Sequence, residues 1–197
     1  LTEGNQTLQP ITEPDGFTGT LRPYQARGVS WLSFLEQWGL GACLADDMGL
    51  GKTVQLIAFL LNLRERDLLD APVLLVCPTS VLGNWEREIH KFGPDLKVLM
   101  HHGDKRSHSA VFARKAKSAN VVLTSYALAQ RDLKDFERVD WLGVVLDEAQ
   151  NIKNPDAKQS KAVRQIEAQF RIALTGTPVE NRLAELWSIM DFLNPGY

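Results

Sequence analysis

Apolar and polar positions along the 197-residue chain follow two rhythms. Short, largely apolar runs cover residues 41–45, 72–78, 97–101, 120–126, 141–146 and 170–174, and that over 72–78 is continuous. Runs of this length without alternation suit strands covered on both faces of a parallel sheet. Between them, apolar residues recur at helical spacing. Leu21-Arg22-Pro23-Tyr24-Gln25 opens a first helix, with Pro23 in its first turn. Val29, Leu32 and Leu35 give that helix a buried face, which Trp31 and Phe34 widen. Residues 54–66 place Leu56, Leu60 and Leu63 on one stripe. Val81, Leu82, Trp85, Ile89 and Phe92 mark a third helix, with Thr79 and Ser80 as its candidate caps. Residues 104–118, 156–169 and 184–193 read as further helices. The alternation predicts an α/β fold: a doubly wound, mostly parallel sheet with helices on both faces.

Residues 1–16 do not share this rhythm. They are polar, carry Pro10, Pro14 and Gly16, and read as a tail or linker ahead of one domain over 17–197. An apolar share of 44% and a charged share of 23% are globular values, and the chain is long enough to bury a substantial core. The formal net charge of −2 excludes a uniformly basic nucleic-acid coat but leaves room for a local basic groove. Lys105, Arg106, Arg114, Lys115 and Lys117, set against Asp104, read as one solvated helix surface in preference to a nucleic-acid contact. Cys43 and Cys77 both lie in strand-like runs, as buried free thiols of a reducing compartment would. No apolar run approaches the roughly 18 residues of a membrane span, and the start has no signal-peptide pattern. The expected setting is intracellular.

The chemistry gathers just after the strands. Residues 46–53, 78–80, 124–126, 147–150 and 175–178 each follow a strand directly. In open parallel sheets the carboxyl ends of the strands bind ligands, so these scattered segments should converge on one edge. The first, Asp46-Asp47-Met48-Gly49-Leu50-Gly51-Lys52-Thr53, runs from a strand into an apolar helix, the layout of a phosphate-binding loop. Glycines let backbone N–H groups approach phosphate oxygens, and a helix amino end favours the same anion. Lys52 can reach β- and γ-phosphates, and the Thr53 hydroxyl can join a Mg²⁺ shell. One position departs from the strict pattern, with Asp46 where glycine is expected. Alone, the stretch could also be a plain glycine-bearing turn. Asp147 ends a buried run and can serve as a metal-directed carboxylate, with Glu148 placed as general base. A simple polar strand end is the competing reading there. Trp85 reads as core rather than a stacking platform, and His101, His102 and His108 show no metal-ligand spacing.

Taken in order, these segments resemble the motifs of SWI/SNF-type DNA translocases in helicase superfamily two. Asp46 to Thr53 is similar to motif I of that branch, which accepts Asp at the departing position. Leu21-Arg22-Pro23-Tyr24-Gln25 resembles the segment whose Gln contacts adenine. Pro78-Thr79-Ser80-Val81-Leu82-Gly83-Asn84-Trp85 resembles motif Ia, and Thr124-Ser125-Tyr126 resembles motif Ib. Asp147-Glu148-Ala149-Gln150 resembles motif II, and Leu174-Thr175-Gly176-Thr177-Pro178 with Asn181 resembles motif III.

The resemblance implies a RecA-like lobe using ATP and Mg²⁺. Gln25, Asp47, Gly49, Leu50, Gly51, Lys52 and Thr53 would bind nucleotide, with Thr53 and Asp147 holding the metal. Lys52, Asp147 and Glu148 would be catalytic. Pro78, Thr79, Ser80, Thr124 and Ser125 would line a backbone track for double-stranded DNA. Gln150, Thr175 and Thr177 would couple nucleotide to DNA, although Gln150 stands where many relatives have His. It further implies that a second RecA-like lobe, absent from these 197 residues, completes the ATP site with an arginine finger. Two other readings stay open at this point: a non-catalytic nucleotide-binding or docking module, and a lobe from another superfamily-two branch. No Asn-Lys-x-Asp sequence is present, which disfavours a small GTPase.

Overall fold

A computed structural model describes residues 11–47, 49–176 and 183–196. Among the described residues six strands form one sheet: β1 (Ala42–Leu44), β2 (Val73–Cys77), β3 (Val98–Met100), β4 (Val121–Ser125), β5 (Trp141–Asp147) and β6 (Ala168–Leu174). Their order is β1-β6-β5-β2-β4-β3, and every neighbouring pair is parallel. The α/β expectation holds, and the sheet is wholly parallel rather than mostly so.

Helices cover both faces. On one lie α1 (Pro23–Gln37), α2 (Lys52–Glu65) and α3 (Leu82–Phe92). They pack against Val73, Leu75, Cys77, Val121 and Leu123. On the other lie α4 (Ser109–Lys117), α5 (Tyr126–Arg131), α6 (Leu133–Phe136), α7 (Lys158–Gln165) and α8 (Leu183–Leu193). They meet the intervening residues Leu74, Val76 and Val122. Successive side chains of β2 thus enter opposite cores, which is why its run is apolar without alternation. Both faces of β2, β4 and β5 are buried, which adds a favourable hydrophobic contribution to this arrangement.

Several sequence expectations shift in the structure. Residues 11–16, read as tail or linker, reach the domain: the Ile11 N–H donates to Ser30 Oγ at 2.8 Å, and Ile11 packs against the first core. Trp31 is 41% exposed and does not widen the buried face of α1, whereas Phe34 does pack on the core. Thr79 and Ser80 do not cap α3. With Val81 they form a turn of 3₁₀ helix, and α3 starts at Leu82 without a side-chain cap.

The helix expected over 104–118 begins only at Ser109. Arg106 precedes it and is not part of a solvated face, because its Nε donates to Asp132 Oδ2 at 2.6 Å. The helix expected over 156–169 is α7, and it ends at Gln165. Ala168 and Gln169 already belong to β6, their helical spacing overridden by pairing with β5. Cys43 and Cys77 are free thiols.

Candidate functional site

The loop after β1 gets its shape from two left-handed glycines. Gly49 has φ +83° and Gly51 has φ +79°. Gly51 is also the residue from which α2 springs, in a conformation that costs a side-chain-bearing residue roughly 1 kcal/mol or more. A side chain at Gly51 would also have to displace Gln25, since a Cβ there would lie 2.4 Å from Gln25 Nε2. Gln25, buried in the first turn of α1, accepts from the Arg22 N–H at 2.9 Å and donates to the Leu50 carbonyl at 3.2 Å. The Tyr24 hydroxyl donates to the same carbonyl at 2.9 Å. The start of α1 is therefore clamped onto the loop, which brings Gln25 to its rim.

Lys52, at the first position of α2, folds its ammonium back over the loop and donates to the carbonyls of Asp46 at 2.6 Å and Asp47 at 3.1 Å. Thr53 follows in the same turn and lines the cleft. Asp46, the departure from the strict pattern, accepts from Gln55 Nε2 at 2.8 Å. Gln55 is fully buried, so the carboxylate is held against α2 instead of crowding the loop.

Asp147 is the last residue of β5. Its Oδ1 accepts from the Glu148 N–H at 2.9 Å, and its Oδ2 accepts from the Trp85 indole N–H at 2.7 Å. The Tyr126 hydroxyl donates to its main-chain carbonyl at 2.7 Å. Burial pushes the Asp147 carboxyl up. The Trp85 hydrogen bond and the Lys52 charge oppose that push, and the Glu148 charge adds to it. Cys77, buried at the end of β2, has its thiol pushed up to about 12 by burial and by the Asp147 charge, which makes it inert.

Glu148 sits at φ +50°, a rare conformation for a residue with a side chain. Its Oε2 accepts from Gln150 Nε2 at 2.7 Å, and Gln150 Oε1 accepts from the Thr175 hydroxyl at 2.9 Å. Thr175 follows β6, and its N–H donates to the Leu44 carbonyl of β1 at 3.2 Å. A continuous polar path thus runs from the acid after β5 to the residue after β6. Thr177, the third expected coupling residue, lies outside the described residues.

Gly49, Gly51, Lys52, Thr53, Asp147 and Glu148 line one cleft of about 410 Å³, closed at the side by Trp85 and Asn84 of α3. A larger cavity of about 570 Å³ opens at the amino ends of β5 and β6, among Phe136, Trp141 and Glu167. It gathers neither a glycine loop nor a lysine, so the chemistry places the candidate site in the smaller cleft.

The five residues expected to line a track separate into two groups. Thr79 and Ser80 are exposed in their 3₁₀ turn beside Pro78. Thr124 is fully buried, and its hydroxyl donates to the His101 carbonyl at 3.2 Å. Ser125 is buried and caps α5 by accepting from the Leu128 N–H at 3.4 Å. Their hydroxyls therefore face the protein interior and correct the expectation that they point at a ligand.

Sequence reasoning missed Gln55 and the polar roles of Tyr126 and Trp85. Gln55 could have been found as a polar residue inside an otherwise apolar helical stripe. Trp85 could not, because its spacing marks only a core position, and the carboxylate it meets is 62 residues away.

Comparison with known proteins agrees with this geometry. The family model described as the SNF2-related domain matches residues 24–197. YwqA of Bacillus subtilis (strain 168) is 55% identical over 181 residues, covering 92% of this chain and 20% of YwqA. The human chromatin-remodeling ATPase INO80 is 40% identical over 196 residues, covering 95% of this chain and 12% of INO80. Among solved structures, the Sulfolobus solfataricus SWI2/SNF2 ATPase core in complex with double-stranded DNA superposes with a TM-score of 0.85 at 45% identity. That match covers 95% of this chain and 38% of the other. The chain thus spans about a fifth or less of these two curated relatives. With the glycine loop, Lys52 and the Asp147-Glu148 pair in one cleft and the match running through nearly all of the fold, this chain belongs to the SNF2-related domain family.

Proposed function

We propose that this chain is the ATP-binding lobe of an SNF2-type ATPase and translocase that acts on double-stranded DNA and remodels protein–DNA complexes inside the cell. The observation that carries this reading is the convergence of the Lys52 loop and the Asp147-Glu148 pair on one cleft. Gly49, Leu50, Gly51 and Lys52, with Asp47 beside them, would cradle the phosphates, and Gln25 at the rim would meet the adenine. The Thr53 hydroxyl and the Asp147 carboxylate are hard oxygen donors. They fit Mg²⁺, which is commonly held by one or two such groups together with phosphates and water. Bound there, Mg²⁺ would neutralise charge developing on the phosphates. Glu148 would orient and deprotonate the attacking water, and Gln150 would hold Glu148 in place.

Pro78, Thr79 and Ser80 would rest on the DNA backbone, contacts that position without reading sequence. Thr124 and Ser125 would shape the neighbouring strand end from inside. Gln150, Thr175 and Thr177 would couple the two ligands. A second RecA-like lobe in the full-length polypeptide would supply an arginine finger, a group worth 10³–10⁵ in rate. This lobe alone is therefore expected to bind Mg-ATP weakly and to turn it over very slowly.

The test is ATP turnover by the full-length polypeptide with duplex DNA, with RNA and with neither. Strong stimulation by duplex DNA, lost in Lys52→Ala and in Glu148→Gln, supports the proposal. Stimulation by RNA alone overturns the DNA assignment, and undiminished turnover in Glu148→Gln overturns its role as base.

A further inference from the structure

Trp85 is 2% exposed, lies on α3 and packs into the first core with Leu82 and Ile89. Its indole has one polar atom, the donor Nε1, and that atom lies 2.7 Å from Asp147 Oδ2. A buried indole N–H needs some acceptor, and a backbone carbonyl would serve. Trp141 shows that solution in the same fold, donating to the Phe136 carbonyl at 2.8 Å. Trp85 instead spends its donor on the carboxylate lining the cleft.

We propose that Trp85 is a positioning residue for Asp147, fixing the carboxylate plane so that its remaining lone pairs face the Thr53 side of the cleft. This rests on the reading of Asp147 as the metal-directed carboxylate.

The geometry supports the proposal in three ways. The Asp147 carboxylate receives a donor on each oxygen: Oδ1 from the Glu148 N–H and Oδ2 from the indole. Two donors on two oxygens remove rotation about the terminal torsion, while each oxygen keeps a lone pair for a metal. The two donors also differ in kind. The Glu148 N–H comes from the residue next in sequence and moves with Asp147, so among the described residues only the indole refers the carboxylate to another element. Finally, the indole is itself immobile, with two side-chain torsions both locked by core packing. A Lys or Gln donor at this place would carry its own freedom into the site. Groups that orient metal ligands in this manner are typically worth 10–100-fold in metal affinity.

A purely structural Trp85 would affect folding alone, and the experiment is chosen to tell the two apart. The full-length polypeptide is titrated calorimetrically with a non-hydrolysable ATP analogue, once with Mg²⁺ and once with a chelator. The readout is the ratio of the two affinities. In Trp85→Phe, which keeps an aromatic ring but removes the donor, the ratio is expected to fall about tenfold with the metal-free affinity unchanged. In Asp147→Asn the ratio should approach one. Should Trp85→Phe fail to fold by thermal melting, 3-benzothienylalanine at position 85 replaces the N–H by sulfur with the ring shape kept.

Loss of the ratio in Asp147→Asn with full retention in the position-85 variant overturns the positioning role and leaves the metal reading standing. Retention of the ratio in Asp147→Asn, or no dependence on Mg²⁺ in the unaltered protein, overturns the metal reading and this proposal with it.

Discussion

Gln55 holds Asp46 by a 2.8 Å hydrogen bond from its amide to the carboxylate, and the other end of the same side chain lies against Gly28 of α1. A Cβ at Gly28 would come within 1.8 Å of Gln55 Oε1. That oxygen is buried and has no hydrogen-bond partner among the described residues. Gln55 cannot swing aside without releasing Asp46, because it has no exposed surface. Gly28→Ala is therefore expected to destabilise the domain by about 1–3 kcal/mol, as overpacking generally does. Gln55→Ala alone should also destabilise, through the lost bond to Asp46. In the double variant the clash disappears, so its cost should be clearly less than the sum of the two single costs. Urea unfolding of the four proteins measures this, and strict additivity would show that the two residues do not meet.

The path Glu148–Gln150–Thr175 makes a second expectation specific. Gln150 uses both ends of its amide, one on the acid after β5 and one on the hydroxyl after β6. Gln150→Met keeps the length and removes both bonds. At about 0.5–1.5 kcal/mol each, their loss corresponds to roughly a tenfold drop in DNA-stimulated ATP turnover by the full-length polypeptide. Nucleotide affinity should stay close to normal, because Gln150 does not line the loop around Lys52. Thr175→Val, which breaks the far bond of this pair and leaves the Gln150–Glu148 bond in place, should reproduce part of the effect. An unchanged stimulation ratio in both variants would remove Gln150 and Thr175 from the coupling role.

Much of this architecture was legible in the sequence, for identifiable reasons. The unbroken apolar run from Val73 to Cys77 is too short for a buried helix and rich in β-branched residues, which made a strand covered on both sides, and with it the parallel sheet, legible. The glycine loop was legible because Gly51 combines a left-handed turn with close approach to Gln25, demands that few other residues meet. What stayed hidden depends on tertiary contact. Thr124 and Thr79 are chemically alike in sequence, yet one donates to His101 inside the fold and the other is exposed. Arg106 looked like one charge of a solvated helix, and only the fold brings it to Asp132, 26 residues later. Trp85 looked apolar because a sequence pattern records where a residue points, not what its one polar atom meets.

The Arg106–Asp132 pair makes a claim about stability. Arg106 donates from Nε at 2.6 Å to Oδ2 and from Nη2 at 3.1 Å to Oδ1, a two-pronged contact with little exposure on either side. Removing the guanidinium leaves a buried carboxylate with His101 as its main remaining partner. Arg106→Leu should therefore cost about 2 kcal/mol, within the range for hydrogen bonds to charged groups. The readout is the denaturant midpoint of the variant beside that of Arg114→Leu, a change on the exposed face of α4 that should be nearly neutral. Equal midpoints for the two variants would mean that the contact contributes nothing.

Acid should weaken the same cluster in two steps, through His101 and then Asp132. His101 is 1% exposed, stacks edge-on against Phe112 and Phe136, and places Nε2 at 3.0 Å from Asp132 Oδ2. Arg106 and His108 face it as well, and Arg131 approaches Asp132 at 3.7 Å. Burial holds the His101 ring below its ordinary value of 6.5. The hydrogen bond and charge of Asp132 oppose that, and the charge of Arg106 assists it. Neutral His101 must therefore carry its proton on Nε2 to donate to the carboxylate. For Asp132, burial pushes up, but the hydrogen bonds and charges of Arg106 and His101 outweigh it and leave the carboxyl below 3.8. Both folded-state values are thus depressed, so both groups confer stability at neutral pH and lose it on acidification. For His101 the loss begins as pH falls through 6.5, where the unfolded chain takes up a proton that the folded ring refuses. For Asp132 it begins only near 3.8. His101→Gln preserves a donor toward Asp132 and removes the titration, so the first step should vanish and the second should persist. Urea midpoints measured from neutral pH downward for both proteins decide the matter. A wild-type decline below pH 6.5 that survives unchanged in His101→Gln would place its origin elsewhere in the fold.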